Sequence, residues 1–325
     1  MIPVRVAGTD SFGPGKAYPT AWLAGRVNPP RDAVDVEAKT GIAQRYFVEG
    51  LGSAPELGAQ SLRRSLAAAN LDATDLGRII FVSSVGQQML FPATANLVAA
   101  ELGLRGSCDC FDLNNACMGF LSAFDIAARA IATGGGPVAV VVVEFGSRYI
   151  SPDDPRPYLV FGDAATSAVF TPARDGEGIL SVFLRNDGVA FGNVILDHPG
   201  ITGRKETIRF TATNATMSGE AIDAIRTSVD AVLDDSRLSL ADVDWILPHQ
   251  PNGALLRAIV ETLDVSPERV VPVVQDFGSV GSASIPISLD RLYQSGRVRA
   301  GDRILLVGVG AGLSYGAILY QEGGR

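Results

Sequence analysis

The sequence predicts an α/β protein built from two related halves. Segments with the apolar spacing of helices alternate with short continuous apolar runs, such as residues 78–82 and 304–307. Continuous apolar strands are typical of sheets covered by helices on both faces, so we expect mostly parallel sheets. The chain has 325 residues, which is enough for two domains.

Two pairs of segments recur at nearly the same distance along the chain. Residues 70–84 match residues 237–251 at an offset of 167, and residues 136–147 match residues 301–312 at an offset of 165. Unrelated α/β segments also share the order of helix, loop and strand. Two matches at nearly one spacing nevertheless favour a duplicated unit.

The predicted halves are residues 1–170, which contain the cysteines, and residues 171–325. Ligands in α/β folds collect beyond the carboxyl ends of strands, so we expect the functional cleft between the halves. Residues 176–214 are interpreted as a joining region of strand and loop.

The composition excludes two broad classes of protein. Hydrophobic residues make up 47% of the chain and charged residues 19%, which is the opposite of a disordered protein. The net charge is 27 − 35 = −8, so the surface offers little positive charge to nucleic-acid phosphates. A chain this apolar also predicts an oligomer interface.

Targeting signals are not evident in the sequence. Residues 1–22 lack a basic stretch followed by an apolar run, so no secretory signal is expected. The most apolar run, Val138 to Val143, is far shorter than the roughly 20 residues that cross a bilayer. Three closely spaced cysteines are a poor disulfide framework. We therefore expect a soluble cytoplasmic protein.

Cys117 is the best candidate nucleophile. It follows a turn of small residues and precedes a predicted helix with one apolar face, formed by Phe120, Phe124, Ala127 and Ala128. At a helix N-terminus the macrodipole and the free N–H groups favour the thiolate, which is the attacking form of cysteine. A buried structural cysteine is the alternative.

The chain has two histidines, and one of them is a good candidate. His198 lies in a predicted turn, whereas His249 follows the strand that closes the second repeat, where α/β folds gather functional residues. A satisfied core histidine is the alternative for His249. The cysteines lack the second ligand pair of a zinc site, so no metal is expected, and Cys108 and Cys110 are interpreted as strand residues.

Two glycine-rich loops follow in the second half. Residues 277–286 contain Ser282, which corresponds to Cys117 at the offset of 165, so this loop is the predicted counterpart of the cysteine turn. Residues 308–316 allow the backbone to approach a ligand and to direct an N–H group at a developing oxyanion. Neither loop contains the Gly-Lys-Ser/Thr sequence of a phosphate-binding loop.

Together these motifs resemble the thiolase superfamily, and most closely the ketoacyl-ACP synthase III family. Six segments match in order, namely Lys39–Arg45, Asn114–Phe120, Phe161–Ala165, His249–Asn252, Ser284–Pro286 and Gly310–Gly316. The resemblance implies a thiolase-like duplicated αβαβα fold of five layers, a homodimer and no cofactor. It also implies acyl-carrier-protein or CoA thioester substrates, with no nucleic-acid or membrane partner.

The resemblance implies a role for individual residues. Cys117 would take an acyl group from a thioester, and the N–H groups of Cys117 and Ala311 would form the oxyanion hole. His249 would assist the later condensation with an extender. The implied substrate-binding residues are Phe91, which would reach into the acyl tunnel of the partner subunit, Asn252, near the pantetheine arm, and Lys39.

Ser279, a candidate catalytic residue, departs from the family pattern. The family has asparagine there, and its amide and the histidine stabilise the enolate left by decarboxylation. Serine has one donor on a shorter arm, and loss of a well-aimed donor costs about 3 kcal/mol at comparable sites. The chain also lacks the family's tryptophan near Asp35 and its basic residue at Ala254, which favours a carrier-bound or unusual donor over CoA.

Three functions remain open from the sequence. The first is a condensing enzyme that joins the Cys117-bound acyl group to a carrier-bound extender in specialised fatty-acid or polyketide metabolism. The second, prompted by Ser279, is an acyltransferase that passes the acyl group to an oxygen, nitrogen or carbon nucleophile without decarboxylation. The third is a non-catalytic subunit of a heterodimeric synthase, which the presence of Cys117 and His249 disfavours.

Overall fold

The fold consists of two large sheets that are covered by helices on both faces. The computed structural model describes residues 1–50, 52–86 and 89–324. The strands are β1 (Arg5–Phe12), β2 (Lys16–Pro19), β3 (Gln44–Phe47), β4 (Arg78–Val82), β5 (Asp109–Leu113), β6 (Val138–Phe145), β7 (Asp163–Thr171), β8 (Gly178–Asn186), β9 (Val194–Ile195), β10 (Arg209–Phe210), β11 (Trp245–Pro248), β12 (Arg303–Gly310) and β13 (Ser314–Gln321). The α-helices are α1 (Thr20–Ala24), α2 (Ala33–Thr40), α3 (Ala54–Ala69), α4 (Thr94–Glu101), α5 (Gly119–Ala132), α6 (Pro155–Tyr158), α7 (Pro199–Thr202), α8 (Asn214–Ser236), α9 (Gly253–Thr262), α10 (Val274–Phe277) and α11 (Ser284–Gln294).

Both large sheets are mixed. The first has the strand order β1-β7-β6-β4-β5 and the second the order β11-β12-β13-β8. β4 runs parallel to β5 and β6, and β11 runs parallel to β12, whereas β7 and β13 are antiparallel to both of their neighbours. The expectation of mostly parallel sheets was therefore wrong. Continuous apolar strands reflect burial on both faces, and β13 follows β12 too closely for the crossover that parallel pairing needs.

The two sheets are versions of one unit. The segments that lead into β4 and β11 share a left-handed helix cap followed by a capping box, at Asn70 (φ 55°) and Asp72–Asp75, and at Arg237 (φ 57°) and Ser239–Asp242. The repeated caps confirm the duplication. One difference lies at the sheet edge, because β5 has no full counterpart among the described residues and Val270 forms a single bridge with Ile246 of β11.

The pairing register corrects the offset for the second pair of segments. Arg78 of β4 pairs with Val138 of β6, and Trp245 of β11 pairs with Ile304 of β12. Since Arg78 and Trp245 are equivalent at the offset of 167, Val138 is equivalent to Ile304, and the offset between β6 and β12 is 166 rather than 165. The single residue matters because it exchanges the two faces of a strand.

Helices α5 and α11 lie between the two sheets, and each packs against both. Helices α3 and α4 cover the outer face of the first sheet, and α8 and α9 cover that of the second. Phe124 of α5 joins the layers, because its ring contacts Phe170 of β7 (centroids 4.5 Å apart) and Tyr320 of β13 (5.9 Å). This order of layers is the predicted αβαβα arrangement, and the predicted apolar face of α5 is fully buried.

The predicted joining region, residues 176–214, contains β8 followed by the two-stranded ribbon of β9 and β10. Residues of this ribbon segment, including Val194, Ile195 and Ile208, line a cavity against the first sheet. Within the described ranges, none of the helices has both the length and the hydropathy to span a membrane.

Candidate active site

A cavity of about 160 Å³ lies beyond the carboxyl ends of β4, β6 and β12. Its polar wall carries side chains from several parts of the chain, namely Ser84, Cys117, Glu144 and Ser279. Its apolar wall is formed largely by Phe161, Val194, Ile195, Leu196 and Ile208. The cavity therefore joins a small group of reactive side chains to an apolar chamber, as is typical of small-molecule sites.

The turn that carries Cys117 is held in an unusual backbone conformation. Ala116, just before the cysteine, has φ of 44°, which few non-glycine residues adopt outside strained or functional sites. Its N–H donates to Asn114 Oδ1 at 3.0 Å, and its carbonyl accepts from Ser282 Oγ. Asn115 Oδ1 accepts from Ser314 Oγ at 3.0 Å. Contacts from both halves of the chain thus fix the turn.

Cys117 lies two residues before the first residue of α5 and keeps partial solvent access through the cavity. The backbone N–H groups of Cys117 and Ala311 both act on its sulfur and lower the pKa. Burial, and to a smaller extent the charge of Glu144, outweigh them and raise the pKa of the thiol to about 12. The N–H groups favour the thiolate as expected, but desolvation of the sulfur is the larger effect and favours the neutral thiol.

His249 directly follows β11, and its backbone N–H donates to Val307 O at 2.8 Å. The side chain is 2% exposed, and burial lowers the pKa of the imidazole to about 4, so His249 is neutral at pH 7. Nδ1 is buried, and no hydrogen-bond partner for it lies among residues 1–50, 52–86 and 89–324. Gln250 fixes the following loop, because its Oε1 accepts from the N–H groups of Val273 (2.8 Å) and Val274 (3.1 Å).

Cys117 and His249 approach the end of β12 from different elements. His249 is bonded to Val307 of this strand, and Cys117 lies against Gly310, three residues further on. A Cβ atom on Gly310 would lie 3.0 Å from Cys117 N, which is tighter than an ordinary contact, so glycine leaves room for the turn. His249 is not one of the residues that line the 160 Å³ cavity. Its contact with the sulfur stays a prediction.

Ser279 and Ala311, two further predicted residues, both line the cavity with Cys117. Ser279 is held through its backbone, because its N–H donates to Val160 O at 2.7 Å and its carbonyl accepts from Gly162 N at 2.9 Å. These bonds tie the glycine-rich loop of residues 277–286 to the chain at Val160 and Gly162. The structure therefore brings three of the predicted site residues together.

Comparison with known proteins places this arrangement in a family. Residues 111–188 match the family model described as 3-oxoacyl-[acyl-carrier-protein] synthase III, and residues 233–321 match the model of its C-terminal part. The chain is 33% identical to beta-ketoacyl-[acyl-carrier-protein] synthase III of Methylococcus capsulatus, over 98% of each chain. It is 31% identical to the protein of the same name from Neisseria meningitidis, over 99% of this chain and 100% of that one. The chain belongs to the 3-oxoacyl-[acyl-carrier-protein] synthase III family.

Solved structures of synthase III proteins agree with this assignment. The Aquifex aeolicus structure matches with a TM-score of 0.90 at 29% identity, over 98% of this chain and 99% of that one. The Pseudomonas aeruginosa structure matches with a TM-score of 0.89 at 29% identity, over 99% and 98%. These matches confirm the thiolase-like fold, and the chain is a condensing enzyme of the acyltransferase type.

Three residues that the synthase III resemblance suggested for substrate binding lie away from the cavity wall. Lys39 is exposed and forms an ion pair with Asp35 at 2.8 Å. Asn252 caps α9, where its Oδ1 accepts from Leu255 N at 2.8 Å. Phe91 is 84% exposed. Their proposed roles depend on substrate or on a second copy of the chain and stay predictions.

The remaining candidates behave as structural residues. His198 caps the short helix α7, where its Nδ1 accepts from Gly200 N at 3.1 Å. Cys108 and Cys110 lie side by side at the start of β5, with their sulfurs 3.7 Å apart. In the described part of the chain, no group of three or more histidine, cysteine or carboxylate side chains is suited to a metal ion.

Sequence reasoning missed Glu144 and Ser84. Glu144 is 2% exposed, lines the cavity beside Cys117, and accepts hydrogen bonds from Ser84 Oγ at 2.6 Å and Ser84 N at 3.0 Å. Burial raises the pKa of this carboxyl to about 7. The signal was present, because Glu144 is the acidic residue near the end of an otherwise apolar and fully buried strand. Buried carboxylates with shifted pKa values cluster at functional sites.

Proposed function

We propose that Cys117 attacks a carrier-bound acyl thioester and becomes an acyl-cysteine. The observation that carries this proposal is that Cys117 and Ala311 line one cavity, where the backbone N–H groups of both residues lower the pKa of the sulfur. In the acylation step the sulfur–carbon bond forms, the donor's thioester bond breaks, and the carbonyl oxygen takes up negative charge. Two preorganised donors at that oxygen are an oxyanion hole.

Because the pKa of Cys117 is raised, the acylation step requires a base that accepts the thiol proton. The resting thiol is neutral at pH 7, so its proton must leave as the thioester is attacked. His249 takes this proton and returns one to the departing thiol, a role for which its neutral form is suited. In the second half-reaction His249 faces the extender.

The apolar chamber holds the acyl chain and limits its length. An engineered cavity of about 150 Å³ lined by leucine, isoleucine and phenylalanine holds one benzene molecule. A cavity of about 160 Å³ therefore suits an acyl chain of roughly six carbons or fewer. We expect thioesters beyond roughly eight carbons to acylate Cys117 poorly.

The acceptor is proposed to be a carrier-bound extender, so that the enzyme forms a carbon–carbon bond in fatty-acid or polyketide metabolism. Its relatives are beta-ketoacyl-[acyl-carrier-protein] synthases III, which supports this assignment. The functional division follows the duplication, with the nucleophile in residues 1–170 and the histidine in residues 171–325. The proposed location is the cytoplasm.

A second candidate function is acyl transfer without decarboxylation. Ser279, in the glycine-rich loop of residues 277–286, lines the cavity and supports this candidate, because serine has one donor on a short arm. If a single short donor cannot stabilise the enolate, the acyl group passes to an oxygen, nitrogen or carbon nucleophile.

The enzyme is proposed to act as a homodimer. Met89, Leu90 and Phe91 are consecutive apolar residues that are 49%, 79% and 84% exposed. Contiguous exposed apolar residues mark interaction sites, and a second copy of this chain is the proposed partner. Phe91→Asp should lower the mass found by light scattering to that of a monomer, whereas an unchanged mass would contradict this interface.

The decisive experiment measures the intact mass of the protein after incubation with acyl thioesters of two to twelve carbons. The wild type should gain the mass of the acyl group, and Cys117→Ala should not. Cys110→Ala is the matched control, because it removes a thiol outside the cavity and should leave acylation intact. Lack of an adduct with every donor would contradict the proposed nucleophile.

Release of CO2 from a malonyl thioester separates the two candidate acceptors. Release that requires both the acyl-enzyme and His249 supports condensation, and its absence with intact acyl transfer supports the acyltransferase. Ser279→Asn should raise the rate on the order of 10²-fold by restoring a longer amide donor. Ser266→Asn, the same change at an exposed position, should have no effect.

A further inference from the structure

Glu144 lies at the centre of a hydrogen-bond network beside the nucleophile. Its carboxylate accepts from Ser84 N with both oxygens at 3.0 Å, from Ser84 Oγ at 2.6 Å, and from Ser282 N at 2.9 Å. Every one of these partners is a neutral donor. A carboxylate this deeply buried is costly unless donors satisfy it, so the site is built around the acceptor.

The network reaches the nucleophile through one further bond. Ser282, whose N–H is held by Glu144, donates its hydroxyl to the carbonyl of Ala116. Ala116 is the residue with φ of 44° that directly precedes Cys117. The bond joins the turn of the first half to the corresponding turn of the second, so any movement of Ser282 is passed to the backbone that carries the sulfur.

The duplication shows what the carboxylate does. With β6 and β12 aligned at the offset of 166, Glu144 is equivalent to Gly310. The Glu144 carboxylate accepts a hydrogen bond from the N–H of Ser282, whereas Gly310 has no side chain that could accept one from the N–H of Cys117. The N–H of Cys117 is therefore not bound by a side chain at this strand position, and it lowers the pKa of the sulfur. In the second half, the N–H of Ser282 therefore stabilises the turn. In the first half, the N–H of Cys117 is left available to the reaction.

We propose that Glu144 is a positioning residue, which acts through Ser282 and Ala116 to hold Cys117 at its oxyanion donors. The inference rests on the proposed function, because acyl transfer is the reaction that this positioning serves. Loss of the Glu144 carboxylate would release Ser282. The strained turn at Ala116 would then relax. Displacement by about 1 Å is enough to cost on the order of 10²-fold in rate.

The charge of Glu144 has a separate effect, which must be distinguished from positioning. The charge of Glu144 acts on the Cys117 thiol, whose pKa it raises. Asp163 of β7 pairs with Phe145 and therefore points to the opposite face of the sheet, where Arg148 also lies against the Phe145 ring. Removal of the charge alone should make the thiol easier to ionise, whereas removal of the acceptor should impair acyl transfer.

The test compares Glu144→Ala, Glu144→Gln, Ser282→Ala and the double variant Glu144→Ala/Ser282→Ala. Two rates are measured for each, namely single-turnover acylation by a short acyl thioester and alkylation of Cys117 by iodoacetamide. The matched control is Asp290→Ala, which removes another buried carboxylate that accepts from hydroxyls, those of Thr9 (2.8 Å) and Ser11 (2.5 Å), away from the cavity.

Glu144→Ala should lower the acylation rate on the order of 10²-fold and Ser282→Ala about tenfold. The double variant should be no slower than Glu144→Ala, because both changes break the same connection. Glu144→Gln keeps an acceptor oxygen and should restore the rate to within about fivefold of the wild type, with faster alkylation. Asp290→Ala should lower the melting temperature but change acylation by less than about threefold.

Three results would overturn the inference: multiplied losses in the double variant, equal losses in Glu144→Gln and Glu144→Ala, or a comparable loss in Asp290→Ala. Failure of the proposed function is a different result, because a wild type that no thioester acylates still gives an alkylation rate. In that case Glu144→Ala and Ser282→Ala must still alter alkylation non-additively for the positioning role to stand.

Discussion

The turn that contains Cys117 and the corresponding turn at Ser282 have the same backbone conformation but differ in function. Ala116 and Gly281, which precede Cys117 and Ser282, have φ of 44° and 49°. Both turns lie beside the end of a central strand, yet the equivalent strand residues are Gly310 for the cysteine and Glu144 for the serine. One turn is kept open towards a cavity, and the other is closed by a carboxylate. A duplicated fold can therefore gain a reactive site when one copy of a hydrogen bond is left unmade.

The largest effect that tests this comparison is the pH dependence of Cys117 alkylation. Because its pKa is raised to about 12, the rate with iodoacetamide should increase about tenfold per pH unit from pH 7 to pH 10 without a plateau. Intact mass measured over time, with Cys117→Ala to assign the adduct, gives the rate. A plateau near pH 8 would mean that the N–H groups outweigh burial.

Gly310→Ala should have the next largest effect, because it places a side chain beside the Cys117 turn, as Glu144 does beside the Ser282 turn. The new Cβ would lie 3.0 Å from Cys117 N, 3.1 Å from Cys117 Cβ and 3.3 Å from Met118 N. We expect acylation to fall on the order of 10²-fold and the unfolding free energy to fall by about 1–3 kcal/mol. Gly192→Ala, at a position with open space around it, is the control and should change neither quantity.

Glu144→Gln should change the pH dependence of stability. The folded-state pKa of Glu144 is about 7 against an ordinary value of 4.5, so its contribution is fully present below pH 4.5 and is lost as the pH rises to about 7. Glutamine does not titrate, and the variant should therefore gain up to about 3 kcal/mol relative to the wild type between pH 4.5 and pH 8. Denaturant unfolding at both pH values measures the gain.

The control for that measurement is Glu101→Gln, the same chemical change at an exposed position. A gain of equal size in this variant, or none in Glu144→Gln, would contradict the burial of an ionisable carboxyl beside the nucleophile.

The smallest expected effect is a difference in unfolding free energy between substitutions at Ala116 and at Gly281, the two residues with positive φ. Ala116→Gly removes the cost of a side chain at positive φ and should change the unfolding free energy by no more than about 1 kcal/mol. Gly281→Ala should cost about 2 kcal/mol, since its Cβ would lie 2.7 Å from Ser84 Oγ and 2.9 Å from Glu144 Oε1. Equal effects in thermal unfolding would mean that the two turns are not packed differently.

Short stretches of the sequence were enough to predict the order of helices, turns and buried strands in this protein. The apolar runs, the turn residues and the spacing of the repeats were sufficient to predict an α/β chain with a duplicated unit. Ordered motifs were sufficient to predict the family, and with it the five layers and the cavity position of Cys117, Ser279 and Ala311. These features follow from short stretches of the chain, because caps, turns and strand burial are encoded by neighbouring residues.

Features that depend on the register between strands or on the desolvation of a charge could be found only in the three-dimensional arrangement. The sequence repeats aligned β12 one residue out of register with β6, and hydrogen bonds between strands were needed to make Glu144 and Gly310 equivalent. The direction of strand pairing was also hidden, because burial on both faces leaves the same apolar pattern in parallel and antiparallel strands. The pKa of Cys117 depended on burial by residues far along the chain, which outweighed the local helix terminus.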